Sequence, residues 1–406
     1  MRRDVSVGLL LTLALQSAVA PFATDMYAPS FPAVTASLAT TSTMVGFTLT
    51  AFFVGMGVGQ ILGGVVSDRL GRRGPLLVGG LICTAGGVAC VLAPTIGWLI
   101  LGRVFQGLGG GATAAIARAV AVDRVRGDKL ARILTLLGAI GGVAPMVAPV
   151  LGGVIASVAS WRVVFWCLAG LGLAMTISAW AVVSESLPPE RRHGSTTSRE
   201  PRAGGLANGQ FVGYLLINCF SGAAMFAYIA DSSFVLQGII GLTPLAFALV
   251  FAANAGISMG LSFLNSAMVG RHRPRNLIRV GLLISSAGVA LLAVSVFAFG
   301  TTLAPTWAGF VLLISGQSFV FGNSSALALE PVRRMAGTAS AVMGLTGALV
   351  NSVVAPVSSI GGVTSAVPMA IVMLVGAAGA WLTFALVGRA KHGHSLNDGD
   401  AGHLGA

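Results

Sequence analysis

Asp25, Arg103 and Asp231 are charges placed where charge is expensive, within long apolar runs. Charge is costly in an apolar medium, and such groups mark functional positions by default. A carboxylate in a low-dielectric cavity can hold a proton near neutral pH and release it when its surroundings change. Arg103 keeps its charge and requires a partner or a wet cavity. Gln106 lies one helical turn from Arg103, so the two can share a face. Tyr228 stands three residues before Asp231, and Tyr27 two after Asp25. These types permit proton exchange and recognition of a cationic or polar ligand. They do not assemble a nucleophile–base constellation, because the acids and the arginine are isolated in sequence. Cys83, Cys90, Cys167 and Cys219 show no C-x-x-C spacing, and His193, His272, His392, His394 and His403 all fall in polar segments. That leaves no pattern of metal ligands. The expectation is a protein that is not an enzyme, with no metal and no cofactor.

Composition dictates the elements that must hold these residues. The 406-residue chain has 24 Lys+Arg and 12 Asp+Glu; 9% of it is charged and 55% hydrophobic. A soluble globule cannot hide that much apolar surface behind so little charge. A disordered chain is excluded for the same reason. A membrane helix needs about 20 mostly apolar residues. Twelve runs qualify: 5–27, 43–66, 76–95, 97–120, 133–157, 162–183, 211–236, 244–268, 277–299, 305–328, 337–360 and 366–388. Arg2, Arg3 and Ala18-Val19-Ala20 imitate a cleavable signal. Cleavage would leave eleven runs and break the half-to-half symmetry, so the first run is read as an uncleaved span.

The net charge of +12 reads as an orientation mark rather than a nucleic-acid footprint. Apart from Arg103, Arg118 and Arg162, every basic residue lies at a chain end or beside every second connection. The positive-inside rule then places both termini in the cytoplasm. Residues 184–210, rich in Pro, Ser, Thr and Arg, read as a cytoplasmic linker. It separates an N-terminal six-helix bundle (1–183) from a C-terminal one (211–388), and 389–406 read as a polar, Gly-rich cytoplasmic tail without persistent structure. The halves repeat: Leu76–Ala89 aligns with Leu277–Ala290 at an offset of 201, matching Gly80 and Gly87 to Gly281 and Gly288. A same-orientation repeat predicts two pseudo-symmetric bundles about an axis along the membrane normal. The fold class is all-α membrane protein with twelve transmembrane helices.

Four motifs add a resemblance. The connection after the second run reads Gly64-Val65-Val66-Ser67-Asp68-Arg69-Leu70-Gly71-Arg72-Arg73, which resembles the G-x-x-x-D-R-x-G-R-R loop of the major facilitator superfamily. Here Gly64 is expected to permit close helix approach and Asp68 to face a helix N-terminus. The arginines are expected to pair with acids such as Asp123; plain inside-positive charge is the bland alternative. Leu99-x-x-x-Arg103-x-x-Gln106-Gly107 resembles the superfamily's R-x-x-Q-G motif, with a buried structural ion pair as the alternative to proton coupling. Pro145-x-x-x-Pro149-x-x-Gly152-Gly153 resembles the antiporter motif, with Ala148 in place of its usual Gly; a plain proline kink is the alternative. Thr24-Asp25-Met26-Tyr27-Ala28-Pro29 and Phe226-Ala227-Tyr228-Ile229 resemble signatures of the Bcr/CflA drug-resistance transporters. Asp231 and Ser233 depart from that subgroup's pattern.

The resemblance implies the major facilitator fold in a bacterial inner membrane and a monomer among lipids. It implies a loop latch on the cytoplasmic side and proton-coupled efflux of small amphiphilic drugs of the bicyclomycin or chloramphenicol type. No cofactor is implied beyond the proton-motive force. The alternative is proton-driven export of an endogenous metabolite or amino-acid derivative. Asp231 is expected to select cationic substrates or to add a second protonation site, against a water-exposed acid at the end of the cavity.

Overall fold

In a bilayer every backbone polar group must be satisfied within its own segment, so apolar runs become helices. The computed structural model describes residues 7–124, 128–187 and 208–400; the side chains of 128–142, 333–338, 340–341 and 388–400 are outside the description. The helices are α1 (Val7–Asp25), α2 (Phe31–Ser37), α3 (Ser42–Leu70), α4 (Arg73–Val91), α5 (Ile96–Arg124), α6 (Asp128–Val158) and α7 (Trp161–Val182). The second half supplies α8 (Gly209–Ser233), α9 (Pro244–Met268), α10 (Pro274–Val294), α11 (Leu303–Leu329), α12 (Ala336–Ser358) and α13 (Val367–Asp400). Eleven helical stretches among the described residues are long and apolar enough to cross a membrane. The 31 residues of α6 supply the remaining run. The predicted linker falls mostly outside the described residues, as does Arg126.

Large apolar side chains such as Trp180, Phe263 and Leu382 stand on the outside, the reverse of a soluble protein, because lipid is their solvent. Helix starts follow local chemistry. Thr41 caps α3 by accepting from the Met44 amide at 3.3 Å, and Ser160 caps α7 through the Arg162 amide at 3.4 Å. Arg162, one of the three off-pattern arginines, donates to the carbonyls of Val91 at 3.1 Å and Ala93 at 3.0 Å. It therefore satisfies the otherwise open C-terminal end of α4.

Two spans differ from their predicted ends. The first does not finish at 27. α1 stops at Asp25, the chain makes a 3-10 turn over Ala28–Ser30, and α2 continues to Ser37. Pro29 and Pro32 lack the amides that would carry the α-helical ladder through this point. The seventh span likewise leaves α geometry: α8 passes into a π-helical turn over Phe234–Ile239. At the other end of the chain, α13 runs on to Asp400, into the stretch read as an unstructured tail.

The chain divides into two compact units. One holds Met1–Arg199, Ile229–Gly256 and Asn351–Met369; the other holds Glu200–Tyr228, Ile257–Val350 and Ala370–Ala406. In the first unit Leu9, Leu13, Leu76, Ile116 and Val120 form a buried cluster. In the second, Phe211, Tyr214, Ile278, Leu282 and Val320 do so. The internal repeat is visible in which glycines meet a neighbouring helix. A methyl on Gly79 or Gly86 would meet α5 at Thr113 or Gln106, whereas one on Gly281 or Gly288 would meet α11 at Gly316 or Gly309. Gly80 and Gly87 instead face α7, at Thr176 and Ala169. Gly79 and Gly86 are therefore the counterparts of Gly281 and Gly288, one residue from the alignment drawn by sequence identity.

Candidate functional site

Arg103 sits in the first third of α5 with no solvent exposure. Its Nη1 donates to Gln106 Oε1 at 2.6 Å, and its Nε donates to the Thr48 carbonyl at 3.4 Å. The guanidinium carbon lies 4.3 Å from the ring centroid of Phe52, 5.3 Å from that of Tyr27 and 5.9 Å from that of Phe165. Each such ring is worth about 0.5–2 kcal/mol to a desolvated cation. Among the described residues no carboxylate pairs with Arg103, and its Nη2 has no hydrogen-bond acceptor. The ion-pair alternative therefore finds no partner here; rings, an amide and a carbonyl hold the charge. Close approach of α3 and α5 brings Phe52 to this position. A methyl on Gly107 would strike the Phe52 carbonyl, and one on Gly59 the Leu108 carbonyl. Tyr27 is fixed by the Thr48 hydroxyl, which donates to its phenol oxygen at 3.3 Å, and by the edge of Phe31, with ring centroids 4.8 Å apart.

Asp25 is the last residue of α1 and is buried. The Thr24 hydroxyl donates to Asp25 Oδ1 at 2.9 Å and has a second acceptor in the Ala20 carbonyl at 3.0 Å. That pair accommodates both charge states. With Asp25 ionised, Thr24 turns its proton to the carboxylate. With Asp25 protonated, the acid donates to Thr24, and Thr24 turns its proton to Ala20. The antiporter-like segment of α6 meets this point directly. A methyl on Gly152 would strike the carbonyl of Met26, the residue after Asp25. Gly153 faces elsewhere, against Ala248 and the Pro244 carbonyl of α9. Pro145 and Pro149 lie within the same continuous helix.

Asp231 is 2% exposed, near the end of α8. The hydroxyls of Ser358 and Ser359 flank its carboxyl. Burial argues against the reading of a water-exposed acid. Tyr228 directs its ring to Phe310 of α11, with centroids 4.9 Å apart.

The loop after α3 forms a separate cluster. Arg72 Nη1 donates to Asp68 Oδ1 at 2.6 Å and to Ser67 Oγ at 2.8 Å, and Arg72 Nε donates to Asp123 Oδ2 at 2.9 Å. Burial works against the Arg72 cation, but Asp123 and Asp68 outweigh it and hold it more firmly charged than a free arginine. Gly71 has φ of +97°, a conformation that disfavours any side chain. Two expectations need correction. Asp68 does not face a helix N-terminus; Glu185 does, accepting from the Arg72 amide at 2.8 Å and the Arg73 amide at 3.2 Å. Gly64 makes no close approach, since a methyl there meets open space; Gly63, one position earlier, lies against Ala112. Arg73 donates to the Trp180 carbonyl at 2.9 Å, while Arg69 is exposed.

Thr48, Phe52, Phe165, Ser358 and Ser359 carry no sequence signal as site residues, whereas Thr24 stands in the Thr-Asp-Met-Tyr signature. Glu185 had a signal that went unused: an acid at the start of a basic connection.

Comparisons with known proteins bear on the family and the fold. The family described as Major Facilitator Superfamily matches residues 13–356. The chain is 32% identical to "Uncharacterized MFS-type transporter YdgK" of Bacillus subtilis, over 91% of this chain and 92% of that protein. It is 30% identical to "Multidrug resistance protein MdtL" of Escherichia coli, over 80% of this chain and 81% of that protein. Among solved structures, a bacterial homolog of the human lysosomal transporter Spinster, inward-facing and occupied, matches with a TM-score of 0.76 at 16% identity, over 94% of this chain and 96% of that one. The Escherichia coli xylose transporter XylE, partially occluded and inward open, matches with a TM-score of 0.72 at 14% identity, over 93% and 97%. At these identities the structural likeness shows the fold alone.

Proposed function

This chain belongs to the major facilitator superfamily, and on that premise we propose that it is a proton-driven exporter of small amphiphilic drugs. It is a multi-pass membrane transporter of small molecules rather than an enzyme, driven by an ion gradient and needing no cofactor. Export and proton coupling are the proposed part. The observation that carries them is the seating of Gly152, in the antiporter-like segment, on the carbonyl that follows Asp25. A change in the protonation and position of Asp25 is thereby felt by a helix whose prolines already weaken its backbone ladder.

In this reading Asp25 is the proton carrier and Thr24 its switchable partner. Arg103 and Gln106, with Tyr27, form a fixed polar centre in the N-terminal bundle, and Tyr228 and Asp231 line the substrate route from the C-terminal bundle. The bundles are 1–183 and 211–388, and both termini face the cytoplasm of a bacterial inner membrane. The Asp68–Arg72–Asp123 cluster, with Gly71 and Arg73, is the cytoplasmic latch. The protein works as a monomer on bicyclomycin- or chloramphenicol-type drugs, in keeping with relatives described as multidrug resistance proteins. Each proton moving inward releases about 2.3 kcal/mol per 100 mV and about 1.4 kcal/mol per pH unit.

Proteoliposomes with an imposed pH gradient test this. Drug addition should trigger proton movement in the wild type, and Asp25→Asn should abolish it while drug binding survives. Absence of any drug-triggered proton movement in the wild type overturns the reading. A response to a metabolite panel but not to drugs favours the metabolite exporter instead.

A further inference from the structure

Asp231 poses a problem that export by Asp25 does not solve. It is 2% exposed, and its Oδ2 has no hydrogen-bond partner among the described residues. Its own stretch, Ile229–Gly256, and that of Ser358 and Ser359, Asn351–Met369, fall in one compact unit, and both make contacts with the stretch that runs from Pro29 to Ser42. The Gln237 side chain donates to the Pro29 carbonyl at 3.0 Å, and Phe31 stacks on Phe234 with centroids 5.6 Å apart. Ser42 Oγ donates to the Ser359 carbonyl at 2.7 Å. None of these segments contains Lys, Arg or His, and Asp231 is their one acid. Asp25 and Tyr27 stand just before the Pro29–Ser42 stretch in the chain. A buried carboxylate without a counter-charge is costly, and it becomes tolerable only by taking up a proton or a cation.

The donor set favours a cation. Ser359 is fully buried with its hydroxyl beside the Asp231 carboxyl, and the buried Ser232 Oγ, next to Asp231 in the chain, has no hydrogen-bond partner among the described residues. Ser358 donates its hydroxyl proton to the Ala355 carbonyl at 3.3 Å, which leaves its oxygen lone pairs free to accept. Both backbones also leave regular α geometry here, at the π turn of Phe234–Ile239 and the 3-10 turn of Ser359–Gly361. Broken helices in transporters are where carbonyls and hydroxyls gather around alkali cations. Carboxylate and neutral oxygen donors suit a hard ion, and without sulfur or imidazole they do not suit a transition metal.

We propose that Asp231, Ser358 and Ser359 form a binding site for a hard monovalent cation of the sodium class, separate from the proton carrier Asp25. Binding neutralises Asp231 and ties α8 to the end of α12. The site goes beyond the export reading, in which Asp231 only lines the substrate route, and its failure is distinguishable from the failure of proton coupling through Asp25.

The test uses full-length protein in lipid nanodiscs at alkaline pH, with sodium chloride against choline chloride at equal ionic strength. Radiolabelled sodium should bind saturably, and sodium should raise the melting temperature. Asp231→Asn should lose both effects, and Asp25→Asn should retain them. Ser359→Ala, the milder variant, should weaken binding about tenfold or more, the scale of losing a supporting group at a metal site. Absence of sodium binding in the wild type overturns the proposal, as does equal binding in Asp231→Asn. In neither case is drug-triggered proton movement through Asp25 affected, so the two readings fail separately.

Discussion

The side-chain amide of Gln237 donates to the carbonyl of Pro29 at 3.0 Å, joining the π turn after α8 to the 3-10 turn after α1. Both turns follow a buried acid by a few residues, Asp231 in one case and Asp25 in the other. Gln237 is also held by Ser233, whose Oγ lies 2.8 Å from its Nε2. The two helix breaks are therefore coupled by a single donor. Gln237→Ala should lower stability by about 1 kcal/mol, the net worth of one hydrogen bond, read as a reduced denaturation midpoint. Gln237→Glu keeps the shape and loses the donor only while ionised. Its deficit should shrink as the pH falls and the acid regains a proton; an unchanged deficit would argue against this contact.

Gly152 and Gly64 offer a matched pair. Both are motif glycines, but a methyl at 152 strikes the Met26 carbonyl while one at 64 meets nothing. Gly152→Ala should cost about 1–3 kcal/mol by overpacking and should impair gradient-driven export more than substrate binding. Gly64→Ala should be neutral or stabilising by up to about 1 kcal/mol, because alanine is the better helix former. Melting curves and transport by the two variants check this; similar losses from both would count against the packing assigned to Gly152.

Arg103 is planar and bound by rings on several sides, so lysine is no substitute. Arg103→Lys should lose the bond to Gln106 Oε1 or the stacking on Phe52, since an ammonium cannot hold both geometries. Export should fall at least about tenfold, the equivalent of 1.4 kcal/mol. Phe52→Leu should produce a milder defect in the same direction by removing one ring. An Arg103→Lys variant with wild-type transport would mean that the ring cage has no role in export.

Much of this was legible in the sequence, for identifiable reasons. Helices and their count follow from the apolar runs, because lipid leaves the backbone no alternative. That a loop arginine would pair with Asp123 followed from charge, though not which arginine; it is Arg72. Other features were not legible, because they depend on packing between segments distant in the chain. Nothing in the sequence distinguishes Gly63 from Gly64, or Gly79 from Gly80; only the rotation of each helix against its neighbour decides which one is needed. The rings around Arg103 come from α3, α7 and the turn at Tyr27, and no local pattern links them. Asp68 was expected at a helix N-terminus because it precedes α4, yet Arg72 captures it and leaves that position to Glu185, more than a hundred residues on.

Glu185 gives the loop cluster a pH dependence. Partial burial tends to raise its pKa, but the amides of Leu187, Arg72, Arg73 and Ser186 outweigh burial and hold it below the usual carboxylate value. A depressed folded-state pKa means that ionised Glu185 stabilises the fold above its unfolded pKa of about 4.3. That contribution is lost as the pH falls through the lower folded-state value. The junction between α4 and the segment after α7 should thus loosen in acid, not in base. Glu185→Gln keeps one acceptor oxygen but loses the charge at the N-terminus of α4, where an anion is worth about 0.3–1 kcal/mol. The variant should melt lower than wild type at neutral pH, and the difference should close as both are acidified. Hydrogen exchange at the Arg72 and Arg73 amides reports the same event locally. Protection that is lost in Glu185→Gln at neutral pH, and in the wild type only on acidification, places the switch at this carboxylate. Equal protection in both proteins at every pH removes it.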